Sequence, residues 1–210
     1  MYKRQDYTGI PAVHTMTIAA GATTGTITVD PTADTTYENN ETVVVTLTTG
    51  STNSQGITVG ASSVATGTIS NDDAVPTATI AVSPASVLED GGTNLVYTVT
   101  LDHASAFDTT VNYSVGGTAT EGTDYTGTST HSITIAAGDT SGTITVDPSA
   151  DTTYENNETV TLTLTGGSTN SQAISLGTST ATGTILNDDA VPTASIAVAP
   201  ASVSEDGATN

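Results

Sequence analysis

From residue 75 to residue 190 apolar side chains alternate with Thr, Ser and Gly at period two, and no stretch spaces them as a helix would. Seven runs carry this alternation, at about 77–82, 94–101, 109–115, 131–135, 141–146, 158–165 and 181–186. Val and Thr dominate them, as suits residues whose branched Cβ packs well on a pleated, half-buried surface. Turn-rich segments lie between: Glu89-Asp90-Gly91-Gly92, Gly116-Gly117, Ala136-Ala137-Gly138-Asp139 and Gly166-Gly167. Seven short strands in about 115 residues predict an all-β fold, an immunoglobulin-like antiparallel β-sandwich. Its core should be small and aliphatic, because the segment holds one Phe, no Trp and few Tyr.

The pattern recurs. Residues 30–55 (DPTADTTYENNETVVVTLTTGSTNSQ) and 147–172 (DPSADTTYENNETVTLTLTGGSTNSQ) agree at 22 of 26 positions, at an offset of 117. Asp6-Tyr7 returns as Asp124-Tyr125, His14 as His131, and Asn71-Asp72-Asp73 as Asn187-Asp188-Asp189. Val75-Pro76-Thr77 restarts at Val191-Pro192-Thr193, and Glu89-Asp90-Gly91 at Glu205-Asp206-Gly207. Residues 6–74 therefore read as the C-terminal part of one repeat, 75–190 as a complete repeat and 191–210 as the start of a third. Residues 1–5 (MYKRQ) match the in-frame translation of a sequencing adaptor and are set aside from fold reasoning. The sequence reads as an internal window of a longer chain.

Charge changes this picture most. The chain has 22 Asp and Glu against two Lys and Arg, a net charge of −20, and both basic residues lie in 1–5. Nucleic acid is excluded as a partner, since its binding needs cations that displace counterions. The absence of Cys excludes disulfides and thiolate metal sites, and no apolar run reaches the length of a membrane span. Antiparallel strands reverse direction, so the connections after the first, third, fifth and seventh strands share one end of the sandwich. Ten of the repeat's thirteen carboxylates fall there: Glu89, Asp90, Glu121, Asp124, Asp147, Asp151, Glu155, Glu158, Asp188 and Asp189. Asp102, Asp108 and Asp139 fall at the other.

Unit charges 4 Å apart repel by about 1 kcal/mol in water and about 4 kcal/mol at an effective dielectric of 20. Such an end wants hydration, protons or a hard cation. Calcium accepts six to eight oxygens in flexible geometry, which loops remote in sequence can supply; magnesium is stricter, and zinc prefers His or Cys. Two blander readings stand beside this one: a merely solvated acidic face, and acidity suited to a saline habitat, which would put carboxylates at both ends. His14 and His131 read as structural, with no second His or Cys recurring beside them. Tyr37 and Tyr154, within the acidic loop, are expected to pack the loop against the sandwich rather than bind ligand. Glu121 and Asp124 do not suit a glycosidase pair, being three residues apart on one loop. Asn40-Glu41-Thr42 and Asn157-Glu158-Thr159 fit the glycosylation sequon.

The ordered motifs resemble the Calx-β repeat family, found in sodium–calcium exchangers, integrins and large bacterial surface proteins. They are the first-loop Glu89, the G-x-D-Y turn (Gly122, Asp124, Tyr125) and Gly138-Asp139-Thr140. The E-x-x-E-T loop (Asp151, Glu155, Glu158, Thr159) and the closing G-T-I-x-N-D-D (Gly183 to Asp189) complete them. The resemblance covers the chain after Gln5. It implies that Ca2+ is held by Glu89, Asp124, Asp151, Glu155, Glu158, Asp188 and Asp189, with the carbonyl near Thr153. Matching positions of the preceding repeat are Asp6, Asp34, Glu38, Glu41, Asp72 and Asp73, and Glu205 would begin a third set. Ala150 and Asn187 (with Ala33 and Asn71) stand where better-endowed members carry Asp, which implies fewer or weaker sites, with Kd of roughly 10⁻⁴–10⁻³ M.

The resulting expectation is a non-enzymatic calcium-binding module of a large secreted or cell-surface protein, bacterial in composition. It would serve adhesion or form a calcium-stiffened stalk, with adjacent repeats and surface or matrix ligands as partners. Alternatives are a spacer with decayed sites, or an accessory array on a secreted hydrolase.

Overall fold

The computed structural model describes residues 7–9 and 15–206. Six short strands precede the complete repeat: β1 (Tyr7–Thr8), β2 (Asp30–Pro31), β3 (Glu41–Thr46), β4 (Ser51–Thr52), β5 (Gln55–Gly56) and β6 (Val64–Ile69). The repeat itself opens with β7 (Thr77–Ser83), β8 (Ser86–Leu88), β9 (Leu95–Leu101), β10 (Thr109–Gly117) and β11 (Tyr125–Thr126). It continues with β12 (Ser132–Ile135), β13 (Ser141–Pro148), β14 (Glu158–Thr169), β15 (Gln172–Ala173), β16 (Ser175–Leu176) and β17 (Thr180–Leu186). No helix occurs among the described residues.

The repeat is a sandwich. One sheet runs β12-β10-β14-β17-β8 with β15 on β14, and the other runs β11-β13-β9-β7-β16. Pairing is antiparallel except at β17–β8 and β16–β7, which are parallel. The exceptions involve short strands outside the seven predicted runs, β8 directly after β7 and β16 before β17. β7 lies in one sheet and β8 in the other, and Pro84 between them has no N–H to continue a ladder. Gly166-Gly167, expected as a turn, instead lies inside β14, where the register slips opposite Asn112/Tyr113. A glycine pair at a bulge kinks the strand without ending it.

Facing side chains from the two sheets fill the interior. Leu95, Tyr97, Val99, Val111, Ile135, Val146, Val160 and Leu162 are fully buried, each aliphatic group contributing about 1.5–3 kcal/mol by leaving water. Tyr97, on β9, also ties the sheets together. Its hydroxyl donates to Val160 O at 2.6 Å and accepts from Gly183 N at 3.1 Å, on strands of the opposite sheet.

Strand direction brings the 89–92, 118–124, 149–157 and 187–189 segments to one end. Gly117 allows β10 to turn there: its φ is 118°, and a Cβ would collide with Thr159 O across the ladder. Tyr37 packs its loop against the neighbouring sandwich, forming a parallel bridge with Ser105 of the 75–190 repeat. Tyr154 is exposed.

Candidate metal centre

Two carboxylate triads occupy the tip. Glu89, Asp151 and Asp189 bring ligand oxygens within 4.8 Å of one another, and so do Asp124, Glu155 and Glu158. Glu89 and Asp189 follow the last residues of β8 and β17, which run side by side; Glu89 N donates to Leu186 O at 3.0 Å. Asp151 lies on the 149–157 loop, where its Oδ1 accepts Thr153 N–H at 2.6 Å. Glu158 begins β14, and Asp124 is held by Thr120 N–H donating to its Oδ2 at 2.6 Å. A cleft lined by Glu89, Asp124, Glu155, Asn156, Glu158, Ile185 and Asn187 joins the two groups.

No Lys or Arg occurs among the described residues to offset these charges. Glu89 is only 6% exposed. Burial first, then the charges of Asp151, Glu155, Asp189 and Asp90, push its carboxyl up to about 7. Glu158 is raised by burial, by a hydrogen bond with Asp124 and by the charges of Asp124 and Glu155. Asp189 is raised by burial and by Asp90, Asp151 and Asp188. Asp189 Oδ2 is buried with no hydrogen-bond partner. At a separation of 4.8 Å, each ionised pair repels by about 3–4 kcal/mol at an effective dielectric of 20.

Asn187, read in the sequence as a missing ligand, holds the tip together. Its Oδ1 accepts Glu155 N–H at 2.9 Å and its Nδ2 donates to Asp189 O at 3.0 Å. An aspartate there has no proton for the second bond. Sequence reasoning missed this strap, although its recurrence at Asn71 was the available signal. Asn71 Oδ1 likewise accepts Glu38 N–H at 3.4 Å, and its Nδ2 donates to Asp73 O at 2.9 Å.

The other expected residues are distributed unevenly. Asp188 is exposed at the rim, its Oδ1 accepting Asp90 N–H at 3.4 Å, and Thr153 is exposed on the loop. Glu121 stays out of the triads and accepts Thr128 N–H at 2.9 Å. In the preceding repeat, Asp34 accepts Thr36 N–H at 2.7 Å, matching Asp151. Among the described residues, however, Asp34, Glu38, Glu41, Asp72 and Asp73 gather into no comparable triad. Glu205 is exposed and in no strand. Asp6 and His14 lie outside the described residues. At the opposite end Asp102 and Asp108 cap backbone N–H groups of Thr77 and Ala137, at 2.8 and 2.9 Å. Those carboxylates are satisfied by the chain itself.

The sequence profile of the Calx-beta domain matches residues 3–73 and again 71–189. No curated protein sequence matches the chain. Among solved structures, the apo form of the Calx CBD1 domain is 22% identical with a TM-score of 0.41, over 54% of this chain and 99% of that one. CBD12 from CALX1.2 is 23% identical with a TM-score of 0.42, over 53% of this chain and 44% of that one. The calcium binding domain CBD12 of CALX1.1 is 22% identical with a TM-score of 0.41, over 52% and 44%. With two consecutive profile matches running from residue 3 to residue 189, the chain belongs to the Calx-beta domain family.

Proposed function

We propose that the tip of the 75–190 repeat binds calcium through the triad of Glu89, Asp151 and Asp189 and the triad of Asp124, Glu155 and Glu158. Thr153 O and Asp188 lie within the same loops and would complete the oxygen set. The observation that carries this reading is the buried, uncompensated charge: Glu89 is buried among like charges, and Asp189 Oδ2 is buried with no donor. Buried charges are stable when paired or bound to metal. All-oxygen donors from several loops fit a large, hard ion of flexible coordination. A bound ion would screen the repulsion within both triads and draw the loops together.

The wider role follows from tandem organisation. A module with no Lys or Arg after Arg4 and an oxygen-donor tip suits surroundings where calcium is millimolar. We read the chain as part of a large extracellular or cell-surface protein in which successive repeats form a stalk or an adhesive array. Thermal unfolding tests the metal site. Millimolar calcium is expected to raise the melting temperature of the chain above its value in chelator. The Asp151→Asn/Asp189→Asn double variant is expected to lose that rise. An identical melting temperature with and without calcium would overturn the assignment.

A further inference from the structure

The contact made by Tyr37 has a consequence at the other tip. Its backbone forms a two-way bridge with the loop between β9 and β10: Tyr37 N donates to Ala104 O at 3.0 Å, and Ala106 N donates to Tyr37 O at 2.9 Å. Its ring meets Phe107 edge-on, with centroids 6.5 Å apart and planes at 62°. Asn170 Nδ2 donates to Asn39 Oδ1 at 2.7 Å beside it. The receiving loop is braced from behind. Ser105 is buried, its Oγ lies 2.7 Å from Thr169 Oγ1, and it accepts Phe107 N–H at 3.1 Å. The linker is clasped to the same loop, with His103 Nε2 2.7 Å from Ala74 O and Asp102 Oδ1 accepting Thr77 N–H at 2.8 Å.

We propose that the tyrosine of each acidic loop is a docking residue for the repeat that follows. Tyr37 seats on the 104–107 loop, and Tyr154 offers the same surface to the equivalent loop of a further copy of this repeat. The occupant is identified by the chain itself. Residues 34–42 and 151–159 are the same nine residues, DTTYENNET, and Asp72-Asp73-Ala74-Val75-Pro76-Thr77 recurs as Asp188-Asp189-Ala190-Val191-Pro192-Thr193. Both loops carry the same internal hydrogen bonds, Asp34 to Thr36 and Asp151 to Thr153. Tyr37 is half-buried, whereas Tyr154 is 46% exposed. A small contact suffices, because a linker of a few residues keeps the two surfaces at high effective concentration. The joint is directional: tyrosine tip of one repeat, Ser105-type loop of the next. It uses none of the triad carboxylates, so failure of the joint and failure of calcium binding are separate results.

Amide hydrogen exchange on the full chain tests the first half. Tyr37→Ala is expected to speed exchange at Ala106 by about tenfold or more while the core amide of Val99 is unchanged. Tyr154→Ala is expected to leave Ala106 as it was. The second half is read in a chain whose residues 1–190 continue directly into another copy of 75–190. Nitration mapped by mass spectrometry should show Tyr154 falling from fast to the slower reactivity of Tyr37. Unchanged Ala106 exchange in Tyr37→Ala, or equally fast nitration of Tyr154 in the extended chain, would overturn the proposal.

Discussion

The chain contains one motif in two settings. β3 (Glu41–Thr46) and the start of β14 (Glu158–Thr169) share ETV and lead into the same Thr-Leu-Thr, and each pairs with its GTI strand in matching register: Glu41 with Ile69, Glu158 with Ile185. Their burial nevertheless differs. Leu164 is 3% exposed and its counterpart Leu47 is 48%; Ile174 is 8% exposed and Ile57 is 53%. In the 75–190 repeat the opposing sheet with β7, β9 and β13 covers these positions, and among the described residues no such sheet lies over β3 and β6. Alternation therefore marks a face for burial, and only the partner sheet completes the core. The tips differ in the same way. Both keep the asparagine strap and the Asp–Thr turn; among the described residues the Glu89–Asp151–Asp189 triad forms where β8 delivers Glu89 beside β17.

The largest expected difference lies in the core. Leu164→Ala should destabilise the 75–190 repeat by about 2–5 kcal/mol, while Leu47→Ala should change stability by no more than about 0.5 kcal/mol. Denaturant melts of the two variants check this, and equal effects would break the distinction between covered and uncovered faces. Next comes the strap. Asn187→Ala removes two hydrogen bonds at the tip and should cost about 1–3 kcal/mol; Asn187→Asp keeps the acceptor, loses the donor, and adds a charge beside Asp189. Chemical denaturation in chelator measures both.

A smaller effect sharpens the electrostatic side. Glu89 has a folded-state value near 7 against an ordinary 4.5, so between these pH values the folded protein holds more protons than the unfolded one. Stability in chelator should therefore fall as pH rises from about 4.5 to about 7. Glu89→Gln should flatten that slope and raise the metal-free melting temperature near pH 8. Calcium should be bound more weakly as pH falls through 7, since the proton on Glu89 competes. Melting curves across this range, with and without calcium, read all three; a rising slope in chelator would contradict the burial of Glu89 among like charges.

Much of the fold was legible because Val, Ile, Leu and Thr alternate cleanly: each of the seven predicted runs overlaps an observed strand. β8, β11, β15 and β16 were not, because two or three residues carry no alternation and their pairing depends on distant strands. Gly166-Gly167 misled for a related reason, since a glycine pair serves a turn and a bulge equally well. The tip was legible through strand parity, which the extra strand β8 left intact because it ends beside β17. What parity could not separate was carboxylates that meet (Glu89, Asp151, Asp189) from one that caps a turn (Glu121). Nor did it give the reach of Tyr37 across the linker, which depends on how one repeat lies on the next.

The most direct measurement of the central claim is a calcium titration followed residue by residue by NMR. Saturable shifts are expected at residues 89–90, 124, 151–158 and 187–189. No saturable shift at these residues would contradict a calcium site assembled by the 75–190 repeat.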